Sequence, residues 1–196
     1  MATTATKERP ILFSGEMVRA ILAGKKTQTR RIIKHRENRW EVDERDDGTL
    51  WPYWPCYVYA EPQPIDMPCP YGEVGDRLWV RESWNVSGLA FGMKPSATKF
   101  ASPWAFRYKA TDATWQHGWK PSIHMPRWAS RIMLEVTDVR VERLHDISEE
   151  DAKAEGVVDR IAFKLLWCSI NGRESWDANP WLWVVSFSVS DDDCIH

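Results

Sequence analysis

The sequence predicts a single α+β domain: a mostly antiparallel, barrel-like β-sheet covered by two or three helices. Residues 77–84 predict a strand that places Leu78 and Val80 on one buried face. Short segments with helical spacing carry capping residues at their ends. A chain of 196 residues is long enough for one such domain with long insertion loops and a substantial core.

The composition is that of a globular protein with an unusual aromatic content. Hydrophobic residues make up 43% and charged residues 28% of the chain. Thirteen tryptophans favour an aromatic-lined cleft in addition to a core. A formal net charge of −2 argues against coating nucleic acid through bulk electrostatics. A local basic patch nevertheless suits a small anionic or nucleotide-like ligand, or else is a solvated strand end; its lysines and arginines are at positions 25, 26, 30, 31, 34, 36 and 39.

The cysteines lie at positions 56, 69, 168 and 194, without a C-x-x-C pair or a paired histidine spacing. We therefore expect neither structural zinc nor a disulfide framework, and no other cofactor. The chain also lacks a signal-peptide pattern and an apolar run of membrane-spanning length. These features favour a cytoplasmic protein without a membrane contact.

Residues 14–33 predict a helix, a turn and a strand. Apolar residues at positions 17, 18, 21 and 22 form one helical stripe, Ser14 is the expected N-cap, and Gly24 is the expected left-handed residue after the helix. A strand is expected over 29–33. This elbow would present Lys26 and Thr29 on an exposed cationic lip.

A lysine and a threonine three residues apart permit a specific chemistry. In a tight turn, a lysine whose pKa is lowered by burial and by cationic neighbours can act as base for a threonine nucleophile. The alternative is that Lys25 and Lys26 simply complement the dipole of the preceding helix.

The segment at residues 21–31 reads ILAGKKTQTRR and resembles the signature of the ASCH domain superfamily, relatives of the PUA fold. It is most similar to the small bacterial N4-acetylcytidine amidohydrolases. In that family a motif lysine, the threonine three residues on and a distant glutamate form the catalytic set, which implies Lys26 and Thr29 here. The whole chain also resembles longer phage and prophage ASCH proteins.

Residues 147–156 predict a short helix that carries the third member of this set. Ser148 is the expected N-cap, Asp151 completes a capping-box variant, and Gly156 follows the helix. Glu155 is then the last helical residue, where the helix dipole disfavours an acid. The family resemblance implies that Glu155 is the catalytic glutamate.

The remaining segments build the sheet and its rim. Residues 75–78 match the Gly-Asp-x-Leu strand of the family, and Arg81 and Glu82 point to opposite faces of that strand, so one of them can line the cleft. Strands are expected at 10–13 and 104–109, in two segments over 132–141 with a break at 137–138, and at 181–189. A further helix is expected over 161–170. Prolines between residues 51 and 70 argue against a helix or a central strand and predict an ordered loop, which folds over the site or serves as a packing flap.

Two prolines hold residues 121–131 extended, so that His124, Arg127 and Trp128 offer an imidazole, a guanidinium and an indole. We interpret this segment as an edge for stacking and hydrogen bonding to a base. Alternatively, Trp128 belongs to the core and Arg127 is an exposed ion-pair partner. The domain is expected to cover residues 9–189, with insertions at about 34–72 and 85–127, after a disordered leader at 1–8 and before an acidic tail at 190–196.

Two classes of function follow. The first is a metal-independent amidohydrolase acting on N4-acylated cytosine or cytidine, with Lys26, Thr29 and Glu155 as its catalytic set. The second is a binding module without catalysis that reads a modified nucleotide or a short RNA. A ribonuclease is a third possibility. The predicted substrate contacts in either class are Arg30, Arg31, Arg81, His124, Arg127 and Trp128.

Overall fold

A computed structural model describes residues 6–34, 40–58, 61–88 and 105–190 as an α+β fold, the predicted class. The helices are α1 (Gly15–Leu22), α2 (Glu149–Ala154), α3 (Arg160–Asn171) and α4 (Arg173–Asp177). The strands are β1 (Glu8–Leu12), β2 (Gln28–Ile32), β3 (Glu41–Glu44), β4 (Leu50–Val58), β5 (Glu61–Asp66), β6 (Arg77–Arg81), β7 (Trp84–Val86), β8 (Phe106–Tyr108), β9 (Met133–Arg143) and β10 (Trp181–Val189). The predicted leader and tail lie mostly outside the described residues, although Glu8 already belongs to β1.

The central sheet has five strands in the order β1-β6-β9-β10-β2. Only β1 and β6 pair in parallel, and the other three pairs are antiparallel. The break expected near residue 137 is a bulge in one continuous strand, because Asp138 pairs with Ser186 and Val136 pairs with Phe187, which leaves Thr137 as the extra residue.

The described strands do not close into the predicted barrel. Strands β1 and β2 are the two edges of an open sheet. In a closed barrel, main-chain hydrogen bonds would join β1 to β2. Here the side chain of Arg31 in β2 instead donates to the main-chain oxygen of Leu12 in β1 at 2.7 Å. The edge of β2 that faces away from β10 is not paired with another of the described strands.

The helix, turn and strand at residues 14–32 follow their local signals. Ser14 accepts a hydrogen bond from the backbone N–H of Met17, and Gly24 has a φ of +66° just after α1. At the turn, the N–H groups of Lys25 and Lys26 both donate to the carbonyl of Ala20. The chain then enters β2 along β10, with Thr29 opposite Val185.

Helices α2 and α3 cover one face of the sheet. The predicted capping box is present, with Ser148 and Asp151 satisfying each other's backbone N–H groups. Gly156 ends α2 with a φ of +89°. Beneath the helices a buried apolar cluster joins them to β10; it contains Leu144, Ile147, Ala152, Phe163, Trp167 and Leu182. The larger cluster lies on the other face and includes Phe13, Val18, Leu78, Val136 and Val185.

The proline-rich insertion was wrongly predicted to be a loop. Strands β3, β4 and β5 form a three-stranded antiparallel sheet with β4 in the centre. Pro55 lies opposite Pro64, so neither position requires an N–H donor from the other. Prolines disrupt a β-sheet only at positions where strand pairing requires the main-chain N–H that proline lacks.

Candidate functional site

Lys26 lies in the interior of the protein and uses its ammonium group completely. The residue is 1% exposed. Its Nζ donates to the carbonyl of Gln28 at 2.7 Å, to the carbonyl of Glu155 at 2.9 Å and to Glu155 Oε2 at 2.6 Å. An ammonium has three protons, and here each has an acceptor.

Main-chain contacts bring Lys26 and Glu155 together. The two residues form an isolated antiparallel β-bridge, and the N–H of Thr27 donates to the carbonyl of Ala154 at 2.8 Å. Gly156 permits this approach, because a Cβ there would stand 3.1 Å from the Cβ atoms of both Ala20 and Lys26. The glycine predicted as a helix end is therefore also a packing requirement of the site.

The expectation of an exposed lip was wrong. Thr29 is 3% and Arg30 is 4% exposed, although Lys25 and Thr27 are exposed. The physical reason is that the elbow bridges to α2 and continues into β2 along β10, so that Gln28, Thr29 and Arg30 are all covered. Local sequence signals define the elbow but contain no information about the segment that covers it.

Burial lowers the pKa of Lys26 below its ordinary value of 10.5. The attraction and hydrogen bond of Glu155 oppose this shift, and the positive charges of Arg31 and Arg30 add to it. The site thus favours the neutral amine more than water does, while Glu155 Oε2 stays in direct contact with Nζ.

Thr29 borders a pocket of about 260 Å³ along β2. Its hydroxyl makes no hydrogen bond with any residue that the structure describes, Lys26 included. Glu155 borders the same pocket. The structure therefore brings the three predicted catalytic residues into one neighbourhood, with Thr29 and Glu155 at the pocket and Lys26 behind Glu155.

The pocket has aromatic and apolar walls and a polar floor. Its lining comprises Met17, Thr29, Arg30, Arg31, Ile32, Lys34, Tyr71, Glu155, Phe163, Leu166, Trp167, Ile170 and Asn171. The sequence reasoning missed the wall from α3. A helix was predicted over residues 161–170 without a role at the site, and its apolar residues Leu166 and Ile170 line the pocket. Tyr71 comes from the proline-rich insertion, one of whose predicted roles was to fold over the site.

Arg30, a predicted substrate contact, lies among acids. Its Nη2 is 2.9 Å from Glu142 Oε2 and 3.0 Å from Asp151 Oδ2. Its Nη1 donates to the side-chain oxygen of Gln28 and is 3.7 Å from Glu155 Oε1. Such a clamp fixes the guanidinium beside the Glu155 carboxylate.

Arg31 also borders the pocket but is held from the opposite side of β2. Its Nη2 donates to Leu12, and its guanidinium lies 5.4 Å from the centre of the Phe13 ring. These contacts leave the guanidinium at the pocket wall as a fixed cation.

The other four predicted substrate contacts do not border this pocket. Arg81 donates to the carbonyls of Met125 and Ile123 at 3.1 and 2.6 Å, and His124 lies exposed in a short 3-10 turn. Arg127 pairs with Glu8 at 2.6 Å. Trp128 packs edge-on against Trp84 with ring centres 6.0 Å apart. The placement of the last two residues matches the alternative given for them: one is an ion-pair partner and the other packs in an aromatic cluster.

A second buried ion pair lies away from the pocket. Arg131 Nε is 2.9 Å from Glu82 Oε1, and Glu82 is 2% exposed. Burial raises the pKa of Glu82, and the hydrogen bond from Arg131 opposes this. Glu82 is a useful comparison for Glu155. It is similarly buried and is paired with an arginine, but it does not line the pocket.

The described residues show neither a metal-binding cluster nor a membrane-spanning helix. Within ranges 6–34, 40–58, 61–88 and 105–190, no group of three or more His, Cys, Asp or Glu residues is arranged to hold a metal ion. None of the described helices combines the length and apolar character needed to cross a membrane.

Comparison with known proteins yields one structural likeness. No protein-family model matches the chain, and no curated protein does. A solved ASCH domain from Lactobacillus crispatus JV V101 is similar, with 13% sequence identity and a TM-score of 0.46, over 93% of this chain and 79% of that chain.

Proposed function

We propose that the protein is an amidohydrolase that removes an acyl group from N4 of an acylated cytosine or cytidine. Thr29 is the nucleophile, Lys26 is its base, and Glu155 orients Lys26 and serves the leaving amine. One observation carries the proposal. The Thr29 hydroxyl is without a hydrogen bond to the described residues and borders the same pocket as Glu155, which is bonded to a buried lysine at 2.6 Å.

The first proton step uses two groups already in contact, Lys26 Nζ and Glu155 Oε2. Lys26 Nζ passes one proton to Glu155 Oε2, which leaves a neutral amine with a lone pair. The neutral amine keeps two protons for the carbonyls of Gln28 and Glu155. When its lone pair turns from Glu155 to Thr29, it accepts the Thr29 proton while Thr29 Oγ1 attacks the acyl carbon. The C–N bond then breaks, N4 takes a proton from this relay, and water hydrolyses the threonyl ester.

The pocket walls support a planar heterocycle as substrate. Phe163, Trp167 and Tyr71 provide aromatic surface, and Arg31 adds a fixed cation. Aromatic side chains and arginine planes are the surfaces on which unstacked bases bind. A free nucleoside or modified base is the expected ligand, with a short RNA as the alternative, because the net charge of −2 provides no general attraction for polymers.

One observation favours the second candidate, a binding module without catalysis. All three Lys26 protons are used by acceptors other than Thr29. In this second candidate, the lysine holds Glu155 and β2 together and takes no part in proton transfer. In that case the pocket binds a modified nucleotide and releases it unchanged.

Turnover of acylated cytidines tests the choice. Purified protein is incubated with N4-acetylcytidine and longer N4-acyl homologues, and cytidine is followed by mass spectrometry. We expect release of cytidine by the wild type and none by Thr29→Val. Thr27→Val is the matched control, because it makes the same change at an exposed threonine two residues away. Binding of cytidine without any turnover would leave the binding module as the function.

A further inference from the structure

Helix α3 has two apolar faces, and only one of them is covered. Phe163 and Trp167 are buried in the apolar cluster against β10. Ile161 and Leu165, one turn apart on the opposite face, are 73% and 68% exposed, and Val158, just before the helix, is 76% exposed. A helix that is apolar on both sides is normally buried on both sides, and a contiguous exposed apolar patch marks an interaction site. The outer face of α3 therefore indicates a contact with another surface.

This outer face is complementary to itself when two copies of the helix run in opposite directions. It continues from Ile161 and Leu165 to Ser169, so it has large residues in its first half and a small one in its second half. With Leu165 against Leu165, Ile161 of each copy lies across from Ser169 of the other, because both are four residues from the centre. The helix then ends at Gly172, where an added Cβ would meet no atom within 4 Å. Small residues opposite large ones let two helices pack closely.

The polar group on this face permits its burial. The hydroxyl of Ser169 already donates to the carbonyl of Leu166 at 2.7 Å. Covering Ser169 therefore leaves no buried donor without an acceptor, and the pairing avoids that cost.

The charges around the face follow the same antiparallel order. The charged residues of α3 are Arg160 and Lys164, which are both positive and lie in its first half. Helix α4, which follows the other end of α3, carries Glu174 and Asp177 against Arg173. An antiparallel pair brings the basic end of each α3 toward the acidic α4 of the other copy, whereas a parallel pair would place the two basic ends side by side.

We propose that two copies of the protein associate through the outer faces of α3, antiparallel and about a two-fold axis beside Leu165. In such an interface the same patch serves both copies. The two faces and their flanks bury on the order of 1,000 Å² in total, the size at which specific association begins, so the dimer is reversible and concentration-dependent. Phe163 and Trp167, which line the pocket, lie on the opposite face of the helix, so the association does not depend on the proposed reaction.

Sedimentation velocity of the purified protein tests the association. The mass of the wild type should rise from that of a monomer to twice that value as the concentration is raised to about 100 μM. Leu165→Glu should stay monomeric, because it sets two carboxylates against each other at the axis, and its circular dichroism should match the wild type, because the position is exposed. Val74→Glu is the matched control, since Val74 is also 68% exposed but lies in the turn before β6, and it should dimerise like the wild type.

Two results would overturn the proposal. A wild type that is monomeric at every concentration would leave the outer face to another segment or another protein. Dimerisation of Leu165→Glu at the wild-type level would place the interface elsewhere.

A mixture of two variants tests the axis itself. Leu165→Lys should be monomeric alone, for the same reason as Leu165→Glu. An equimolar mixture of the two should form a dimer, because residue 165 of one copy meets residue 165 of the other and the charges are then opposite. A mixture that stays monomeric would overturn the antiparallel register about Leu165.

Discussion

Lys26 and Glu155 stand 129 residues apart in the sequence and are joined twice, by a main-chain β-bridge and by a 2.6 Å contact between Nζ and Oε2. The side-chain contact is almost wholly buried, with 0% and 5% exposure of the two side chains. One pair thus closes the elbow onto α2 and forms the centre of the proposed site. Substitutions there affect stability and chemistry together.

Lys26→Met should destabilise the protein strongly. The substitution keeps the volume but leaves the Glu155 carboxylate buried without its ammonium partner. Breaking a buried pair in this way costs about 3–5 kcal/mol, and urea unfolding would measure it. Lys25→Met changes an exposed neighbour and should alter the free energy of unfolding by less than about 0.5 kcal/mol.

The double variant Lys26→Met, Glu155→Gln separates charge from packing. It removes both charges, so it should recover part of the loss caused by Lys26→Met alone. A single-variant loss below about 1 kcal/mol would show that the pair contributes little to the fold.

The pH profile of deacylation should report Lys26. Catalysis needs the neutral amine, and burial lowers the pKa of Lys26 below 10.5. The value of kcat/KM should therefore rise with pH and level off through an inflection below 10.5. Lys26→Arg should lose that limb and about 10²–10⁴-fold in rate, since a guanidinium stays protonated. Full turnover by Lys26→Arg would show that Lys26 acts only as a positioning charge and not as the base.

Elements with local signals were predictable from the sequence. Ser14, Gly24 and the Ser148–Asp151 capping box each act within a few residues, and the structure confirms all of them. The neighbourhood of Lys26, Thr29 and Glu155 was predictable only through the family resemblance. No local rule connects Lys26 with a carboxylate 129 positions away.

The pocket and the insertion were not predictable for a different reason. Phe163 and Trp167 face both a core cluster and the pocket, and helical periodicity cannot distinguish the two roles. In the insertion, proline was treated as a strand breaker although β4 places Pro55 opposite Pro64. Strand pairing depends on the partner strand, and the partner is not visible in a local window.

Gly156→Ala should damage the fold and the site together. The new Cβ would meet Ala20 and Lys26 at 3.1 Å, and the backbone there has a φ of +89°. Gly172→Ala is a matched control with a φ of +84° and no atom within 4 Å. The control should cost about 1–3 kcal/mol for conformational strain alone, since a φ of +84° with a ψ of 156° is a region that glycine adopts and other residues rarely do. Gly156→Ala should cost clearly more and reduce turnover. Equal losses of stability for Gly156→Ala and Gly172→Ala in thermal unfolding would show that the neighbours of Gly156 move aside without a free-energy penalty.

Asp151→Asn should weaken the clamp on Arg30 and change the response to acid. Asp151 is 3.0 Å from Arg30 Nη2 and 2.9 Å from Arg140 Nη2. Burial opposes ionisation of Asp151, but the charge of Arg30 and the hydrogen bonds of Ser148 outweigh it and hold its pKa below 3.8. A lowered pKa contributes stability that is present above 3.8 and is lost as the pH falls through the folded-state value.

The asparagine variant should therefore be about 1–2 kcal/mol less stable than the wild type at pH 7, since charge-assisted bonds at a partly exposed site become neutral ones. That difference should shrink as the pH is lowered below 3.8, because the wild-type carboxylate is then protonated as well. Asp138→Asn removes another partner of Arg140, but its side chain is 52% exposed, so it should cost less than about 0.5 kcal/mol. Equal losses for the two variants in urea unfolding at pH 7 would show that Asp151 acts only as an exposed partner of Arg140 and that Arg30 does not depend on it.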